Sequence, residues 1–283
     1  MKIARHHAFT LIELLVVIII IAMFLGMAMP AVNGLREMGR RTSCQSHLAR
    51  MSVALHNYEA AYGVLPPGTV EPKGPIRNVA EGNHMSWIVA LLPYIDENVT
   101  FKHVDFSVGA YDSKNAAVRD VHIALLACPS DRGGRPDIAA TNYAGCHHDV
   151  ESPIDGDNHG VLFLNSHVAA DDVTHGLTHT IFLGEKRVDA DDLGWMSGTR
   201  ATLRNTGTPI NFVPRPAPTP KQAPPVSALF VGGFSSAHAG SANFLFGDGA
   251  VRLVTSDIDT DVYQQLGNRA GGKLLSGGPT REE

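Results

Sequence analysis

Hydrophobic positions fall along this chain in three regimes. From Phe9 to Met29 they are nearly continuous, FTLIELLVVIIIIAMFLGMAM, and Glu13 is the lone charge. About 20 apolar helical residues, at ~1.5 Å each, cover the hydrocarbon core of a bilayer. No polar face recurs every third or fourth residue, as it would on a helix of a soluble domain. The stretch therefore predicts a membrane span over residues 9–30. Farther on, Cys44, Leu48, Met51, Leu55, Tyr58 and Tyr62 recur at intervals of three or four, with Arg50, Asn57 and Glu59 on the other face. That spacing predicts an amphipathic helix, stopped by Gly63 and Pro66-Pro67-Gly68. Pro30 should kink the helix without ending it. The two stretches then join in one rod from about residue 10 to 62, roughly 80 Å long, its second half the spine of a soluble domain.

The third regime, residues 64–270, is made of short apolar runs between turn residues. Trp87 to Ile95 and Val118 to Leu126 read as short helices. Gly160 to Leu164, Thr180 to Glu185, Gly194 to Ser197, Ala228 to Val231, Asn243 to Gly247 and Ala250 to Val254 read as strands. Asp248-Gly249 between the last two is a hairpin signal, with both turn residues expected at positive φ. Pro214 to Pro225 reads as an extended surface loop, and Gly271 to Glu283 as a mobile tail. The predicted fold class is α+β: a long N-terminal helix packed on an antiparallel sheet head.

Composition adds limits. The 283 residues allow one or two domains, and 18% charged residues argue against disorder. A net charge of -5 gives no electrostatic case for binding nucleic acid. Three cysteines, Cys44, Cys128 and Cys146, allow one disulfide and one remaining thiol. None lies in a C-x-x-C pair, which speaks against a thiolate zinc site. Lys2 and Arg5 precede the span while Arg36, Arg40 and Arg41 follow it, so positive charge alone does not orient the chain.

Ala8-Phe9-Thr10-Leu11-Ile12-Glu13-Leu14-Leu15-Val16-Val17 resembles the processing site of type IV prepilins and pseudopilins, with Ala8 where that family has Gly. The resemblance implies cleavage between Ala8 and Phe9 by a prepilin peptidase, which removes the leader 1–8, and N-methylation of Phe9. Glu13 becomes the buried acid that pairs with a neighbouring subunit's amine. An ionisable group inside a span costs a few kcal/mol and needs a partner, which supports the same role. Further blocks narrow the resemblance: Arg40 to Leu48, Ala54 to Tyr58, Leu65 to Gly68, Ser86-Trp87, Leu91 to Tyr94, Cys128-Pro129-Ser130, Gly176 to Thr180 and Gly184-Glu185. The strongest is His238 followed after nine residues by Asp248-Gly249. Together they are similar to a large bacterial family that joins a prepilin-type leader to a globular domain of uncharacterised role and ends on a His-x(9)-Asp-Gly signature. Cys44 and Cys128 match that family's cysteines. A bridge between them would staple the domain to its helix, contributing about 3–5 kcal/mol by chain entropy, with Cys128–Cys146 the rival pairing.

Other candidate chemistry is weaker. His238 and Asp248 do not make a catalytic dyad if the residues between them run as a strand, because ten steps of ~3.3 Å hold them about 30 Å apart. His147-His148-Asp149, Asp155-Gly156-Asp157-Asn158-His159 and Asp189 to Asp192 cluster ligand-type side chains. Asp155 and Asp157 resemble the start of a calcium loop, but the glycine falls between them and no bidentate Glu is correctly spaced. Solvated turns are the default there, and calcium is the one cofactor left open. Motifs for zincins, P-loops and serine hydrolases are absent, so no catalytic residues are assigned and no enzyme is expected. The expectation is a processed structural subunit of a type IV pilus or type II secretion-like filament. Its N-terminus would be cytoplasmic and its head periplasmic, across the inner membrane or on a surface filament, with an assembly platform and other pilin-like subunits as partners. The rivals are a non-polymerising anchored adhesive or ligand-binding protein and an anchored metal-dependent hydrolase.

Overall fold

The computed structural model describes residues 10–131, 137–212 and 226–271, excepting the side chains at 25 and 27–31. The leader with Ala8 and Phe9, the Pro30 ring, the proline-rich stretch 214–225 and the tail beyond 271 therefore lie outside the described residues. The chain divides into two compact units, Met1–Thr42 and Ser43–Glu283.

Helix α1 runs Leu11–Tyr62. It starts on a capping box: the Thr10 amide and hydroxyl both donate to Glu13 Oε2 at 2.8 Å, and the Glu13 amide donates to Thr10 Oγ1 at 3.3 Å. It stops at Gly63, whose φ of 76° and N–H to the Glu59 carbonyl, 2.7 Å, form a left-handed cap that a side chain would strain. Among the described residues no helix is long and apolar enough to cross a membrane. The apolar run with described side chains, Leu11 to Phe24, covers about 21 Å of the ~30 Å hydrocarbon core.

In the second unit the apolar stripe of α1 is the floor of the main core. Cys44, Leu48, Met51, Ala54 and Leu55 are all 1% exposed or less. The stripe closes at Tyr58; Tyr62 is exposed and stacks on Tyr58 with ring centroids 4.4 Å apart. After α1 come the paired strands β1 (Thr69–Val70) and β2 (Met85–Ser86). The short helices α2 (Trp87–Leu91), α3 (Asn98–Lys102) and α4 (Ala116–Arg119) follow. The main sheet has the order β5-β3-β4-β6-β7, made of β3 (Tyr143–His148), β4 (Ile181–Glu185), β5 (Leu203–Asn205), β6 (Ser241–Phe246) and β7 (Val251–Thr255), and α5 (Thr260–Leu266) closes the described fold. The α+β class stands. The sheet is antiparallel except at one edge, where β5 runs parallel to β3.

Both faces of this sheet are covered, which explains why β3, β4 and β6 are buried at every position. Along β6 the faces alternate. Ala242, Phe244 and Phe246 meet Tyr263 of α5 in a second core, while Leu245 belongs to the core beneath α1.

Several elements differ from the sequence expectation. The helix expected over 118–126 is α4 and a separate 3-10 turn, Ala124–Leu126; the Val121 carbonyl between them accepts the Trp195 indole N–H at 2.9 Å instead. Residues 160–164 form no strand, because the amides of Gly160, Val161 and Leu162 bond the His147 and Cys146 carbonyls. Nor do 228–231, where the amides of Val231 and the following Gly232 bond the Glu151 carboxylate. Residues 194–197 contribute a single bridge, Met85 to Ser197. β3 was not anticipated: its two histidines read as loop ligands, yet they are buried.

Candidate functional site

His238 and Asp248 stand beyond opposite ends of β6, a strand about 20 Å long. The two ends of the signature do different things. Asp248-Gly249 makes the β6–β7 turn. The Gly249 amide bonds the Phe246 carbonyl at 3.0 Å, and the Phe246 amide bonds the Ala250 carbonyl at 3.0 Å. Only Gly249 has positive φ, 82°, so the turn is a three-residue loop with a left-handed glycine rather than the two-residue form expected. Asp248 Oδ1 accepts the Ala250 amide at 3.0 Å, and its other oxygen pairs with Arg252.

His238 instead enters a buried cluster with three residues distant in sequence. Cys44 comes from the stripe of α1, Cys128 from the loop after the 3-10 turn, and Glu185 from the last position of β4. Exposure is 0, 7, 2 and 1% for Cys44, Cys128, Glu185 and His238. The Cys44 and Cys128 thiols are free, with Sγ atoms 2.7 Å apart. His238 Nε2 lies 3.8 Å from Cys128 Sγ and 3.6 Å from Glu185 Oε1.

Each member is placed by backbone geometry. Glu185 faces Asn243 across the β4–β6 ladder. The Asn243 amide donates to Oε2 and its Nδ2 to Oε1, both at 2.9 Å. Asn243 Oδ1 in turn accepts from Gln45 Nε2 of α1 at 3.1 Å. The Cys128 amide donates to Asn142 Oδ1 at 2.8 Å, and the His238 amide to Ser236 Oγ at 3.0 Å. Gln45, Cys44 and the network beyond them thus tie α1 to the sheet through polar contacts inside an otherwise apolar core. Burial makes such contacts costly to break, since an unmatched group cannot return to water.

The two thiols differ in acidity. The hydrogen bond from Cys44 lowers Cys128 to about 7, and the same bond together with burial pushes Cys44 well up. Burial likewise raises the neighbouring Tyr143 hydroxyl.

The four donor atoms lie within 4.8 Å of one another and are of the types that hold zinc. The geometry fits a thiol pair better. Two sulfurs on one zinc stand about 3.7 Å apart, about 1 Å farther than the 2.7 Å here.

The remaining sequence candidates are dispersed. Cys146, the rival disulfide partner, lies in the second core, with its thiol against the His148 and Gly267 carbonyls. Asp155 caps a turn by accepting the Gly156 amide at 2.8 Å, and neither it nor Asp157 joins a group of metal-type donors among the described residues. Glu13 lies on α1 in the first unit, in the capping box described above. Glu185 and Asn243 carried no assigned role from sequence. The available signal was an acid ending the apolar strand IFLGE and an amide inside SANFLF.

No curated protein and no solved structure matches the chain. Residues 3–29 match the prokaryotic N-terminal methylation motif, and residues 34–261 match the family described as a protein of unknown function, DUF1559. The chain belongs to the DUF1559 family and is a pilin-like protein of the prepilin-type cleavage and methylation class.

Proposed function

We propose that this protein is a structural subunit whose mechanism is assembly rather than turnover. It is cut between Ala8 and Phe9, methylated on Phe9, held in the inner membrane by its apolar N-terminal helix, and assembled into a type IV pilus or type II secretion-like filament. What supports this most directly is the outer part of α1. Every large apolar side chain from Leu11 to Ile21, with Met23 and Phe24, is at least 43% exposed. Burying one such side chain is worth about 1.5–3 kcal/mol, so a run of this size needs a cover. Lipid supplies it before assembly, and the helices of neighbouring copies after it. Glu13 then exchanges its cap on Thr10 for the amine of the next subunit. Outside the membrane, exchange with a disulfide oxidant, which leaves as its dithiol with the two electrons and two protons, joins Cys44 Sγ to Cys128 Sγ and fixes the head to its helix.

Mass spectrometry of the mature chain tests the processing step. The expected N-terminus is N-methyl-Phe9, and a mature chain that keeps Met1 to Ala8 would indicate a non-polymerising anchored protein. Glu13→Leu should abolish incorporation into filaments while leaving cleavage intact. Filaments that accept this variant as readily as the parent would overturn the assembly role.

A further inference from the structure

A second group of ligand-type side chains gathers at the opposite end of β3 from Tyr143, and neither the family nor the assembly role accounts for it. A bulge in the β3–β5 pairing between Cys146 and His148 re-aims the end of the strand. The chain then loops out and returns along its own path. The Gly160 amide bonds the His147 carbonyl at 2.9 Å, and a Cβ at Gly160 would stand 2.3 Å from the Cys146 carbonyl oxygen. Only glycine permits that approach, and it sets His159 opposite His148.

The turn after α5 clamps this return. The Arg269 amide bonds the His159 carbonyl at 3.0 Å, and its guanidinium donates to the carbonyls of Asn158 and Gly160, both at 2.7 Å.

Three donor atoms converge as a result. Asp149 Oδ1 lies 2.5 Å from His148 Nδ1 and 3.0 Å from His159 Nδ1, and the two imidazole rings stand 4.5 Å apart at 72°; the Asp149 amide also donates to His148 Nδ1 at 2.9 Å, a bond that an ion on this nitrogen would replace. Asp149 Oδ2 is held separately by Asn268 Nδ2 at 2.7 Å. That is the outer-shell contact that fixes a ligating carboxylate. His148 is 7% exposed, whereas the His159 side chain is 54% exposed, so the group is anchored on one side and open to solvent on the other. Two imidazoles and one carboxylate are the ligand set of borderline divalent metals and not of calcium, which takes oxygen alone. An ion about 2.0–2.1 Å from each donor spreads them to about 3.3 Å, an opening of less than 1 Å for the nearest pair.

We propose that His148, Asp149 and His159 form a site for one divalent first-row transition ion of the zinc class, with its outward coordination position left to water or an external ligand. The ion would tie the loop 149–159 to the end of β3, and it requires nothing of filament assembly.

Zinc titration of the full-length chain in detergent, read by competition with a chromophoric chelator, tests the site. The expected result is one zinc per chain, with His159→Ala and Asp149→Asn each weakening binding more than about tenfold and Asn268→Ala about tenfold. Cys44→Ser should leave it unchanged, and a large excess of calcium should not displace the metal. Because His159 is exposed, its variant keeps the test valid if Asp149→Asn fails to fold. No binding up to about 0.1 mM zinc would overturn the assignment. So would binding that survives His159→Ala and is lost in Cys44→Ser, or displacement by calcium.

Discussion

The head contains two groups of metal-type donors in opposite settings, one built on a thiol pair and one on two imidazoles. Cys44, Cys128, Glu185 and His238 are each 7% exposed or less, and they come from α1, a loop, β4 and the approach to β6. The carboxylate is held from within the fold by Asn243. His148, Asp149 and His159 come from one strand end and the loop after it, and one imidazole faces water. Asp149 gathers its partners differently too. Burial pushes its carboxyl upward, but the contacts from His148, Asn268 and His159 outweigh that and hold it below the usual range. Where every donor is enclosed and already paired, the group acts as a fastener between elements. Where one side opens to solvent, a group of imidazoles and a carboxylate can exchange what it holds. Burial and the thiol pair together separate the two roles.

The largest effect expected from breaking the enclosed group is loss of the thiol pair. Cys44 and Cys128 are 84 residues apart in sequence, and a bridge closing that loop contributes about 4 kcal/mol through the unfolded chain. Cys44→Ser, or reduction of the parent, should lower stability by about that amount. Trp87 and Trp195, 1 and 0% exposed, report the head's denaturant midpoint by fluorescence. An intact mass lower by two hydrogens than the reduced chain should accompany the bridge, and its absence in protein secreted under oxidising conditions would remove the fastener. Glu185→Ala comes next. It leaves the Asn243 amide and side chain without acceptors in a dry core, at a cost of about 3 kcal/mol. Glu185→Gln, which keeps one acceptor oxygen, should cost less than half of that. Equal midpoints for Glu185→Ala and the parent would show that the carboxylate fastens nothing.

Much of this contrast was legible in the sequence, but unevenly. The stripe of α1, the stop at Gly63 and the hairpin at Asp248-Gly249 follow from periodicity and turn chemistry, which are local. An intervening strand also separates His238 from Asp248, as the sequence implies, because strand geometry fixes distance whatever the surroundings. The partners of His238 were not legible. They arrive from three other segments, and no spacing rule links position 44 to 128, 185 and 238. β3 was missed because YAGCHH lacks the alternation of a half-exposed strand; both its faces are covered, and its histidines find partners inside, as His147 does with Asn158 Oδ1 at 3.0 Å. The donor clusters around 147–149 and 155–159 were visible as composition. Only the Gly160 return decides that His159 joins His148 and Asp149 while Asp155 and Asp157 stay apart.

A smaller effect separates the two thiols of the enclosed group. In the reduced chain Cys128, lowered to about 7 by its bond from Cys44, ionises more readily than Cys44 and more readily than an ordinary thiol near 8.5. The thiolate is the reactive form. Alkylation of the folded, reduced chain should therefore label Cys128 severalfold faster than Cys44, with a pH midpoint near 7 read by peptide mass spectrometry. Cys146, whose thiol burial pushes upward, should lag behind. Labelling of Cys44 first would reverse this order of acidity.

The smallest expected effect sharpens the contrast most. His159→Ala removes an exposed ring that meets Asp149 and the edge of the His148 ring, while its backbone carbonyl keeps the Arg269 amide. Asp149 retains His148 and Asn268. Surface changes of this kind stay within about 0.5 kcal/mol, so in metal-free buffer the variant should unfold at the parent's midpoint. With zinc present the parent should gain stability as the ion binds the folded state alone, and the variant should not follow. A loss above about 1.5 kcal/mol without metal would mean that the open group fastens the loop to the strand through its hydrogen bonds, and the two clusters would then differ in exposure but not in role.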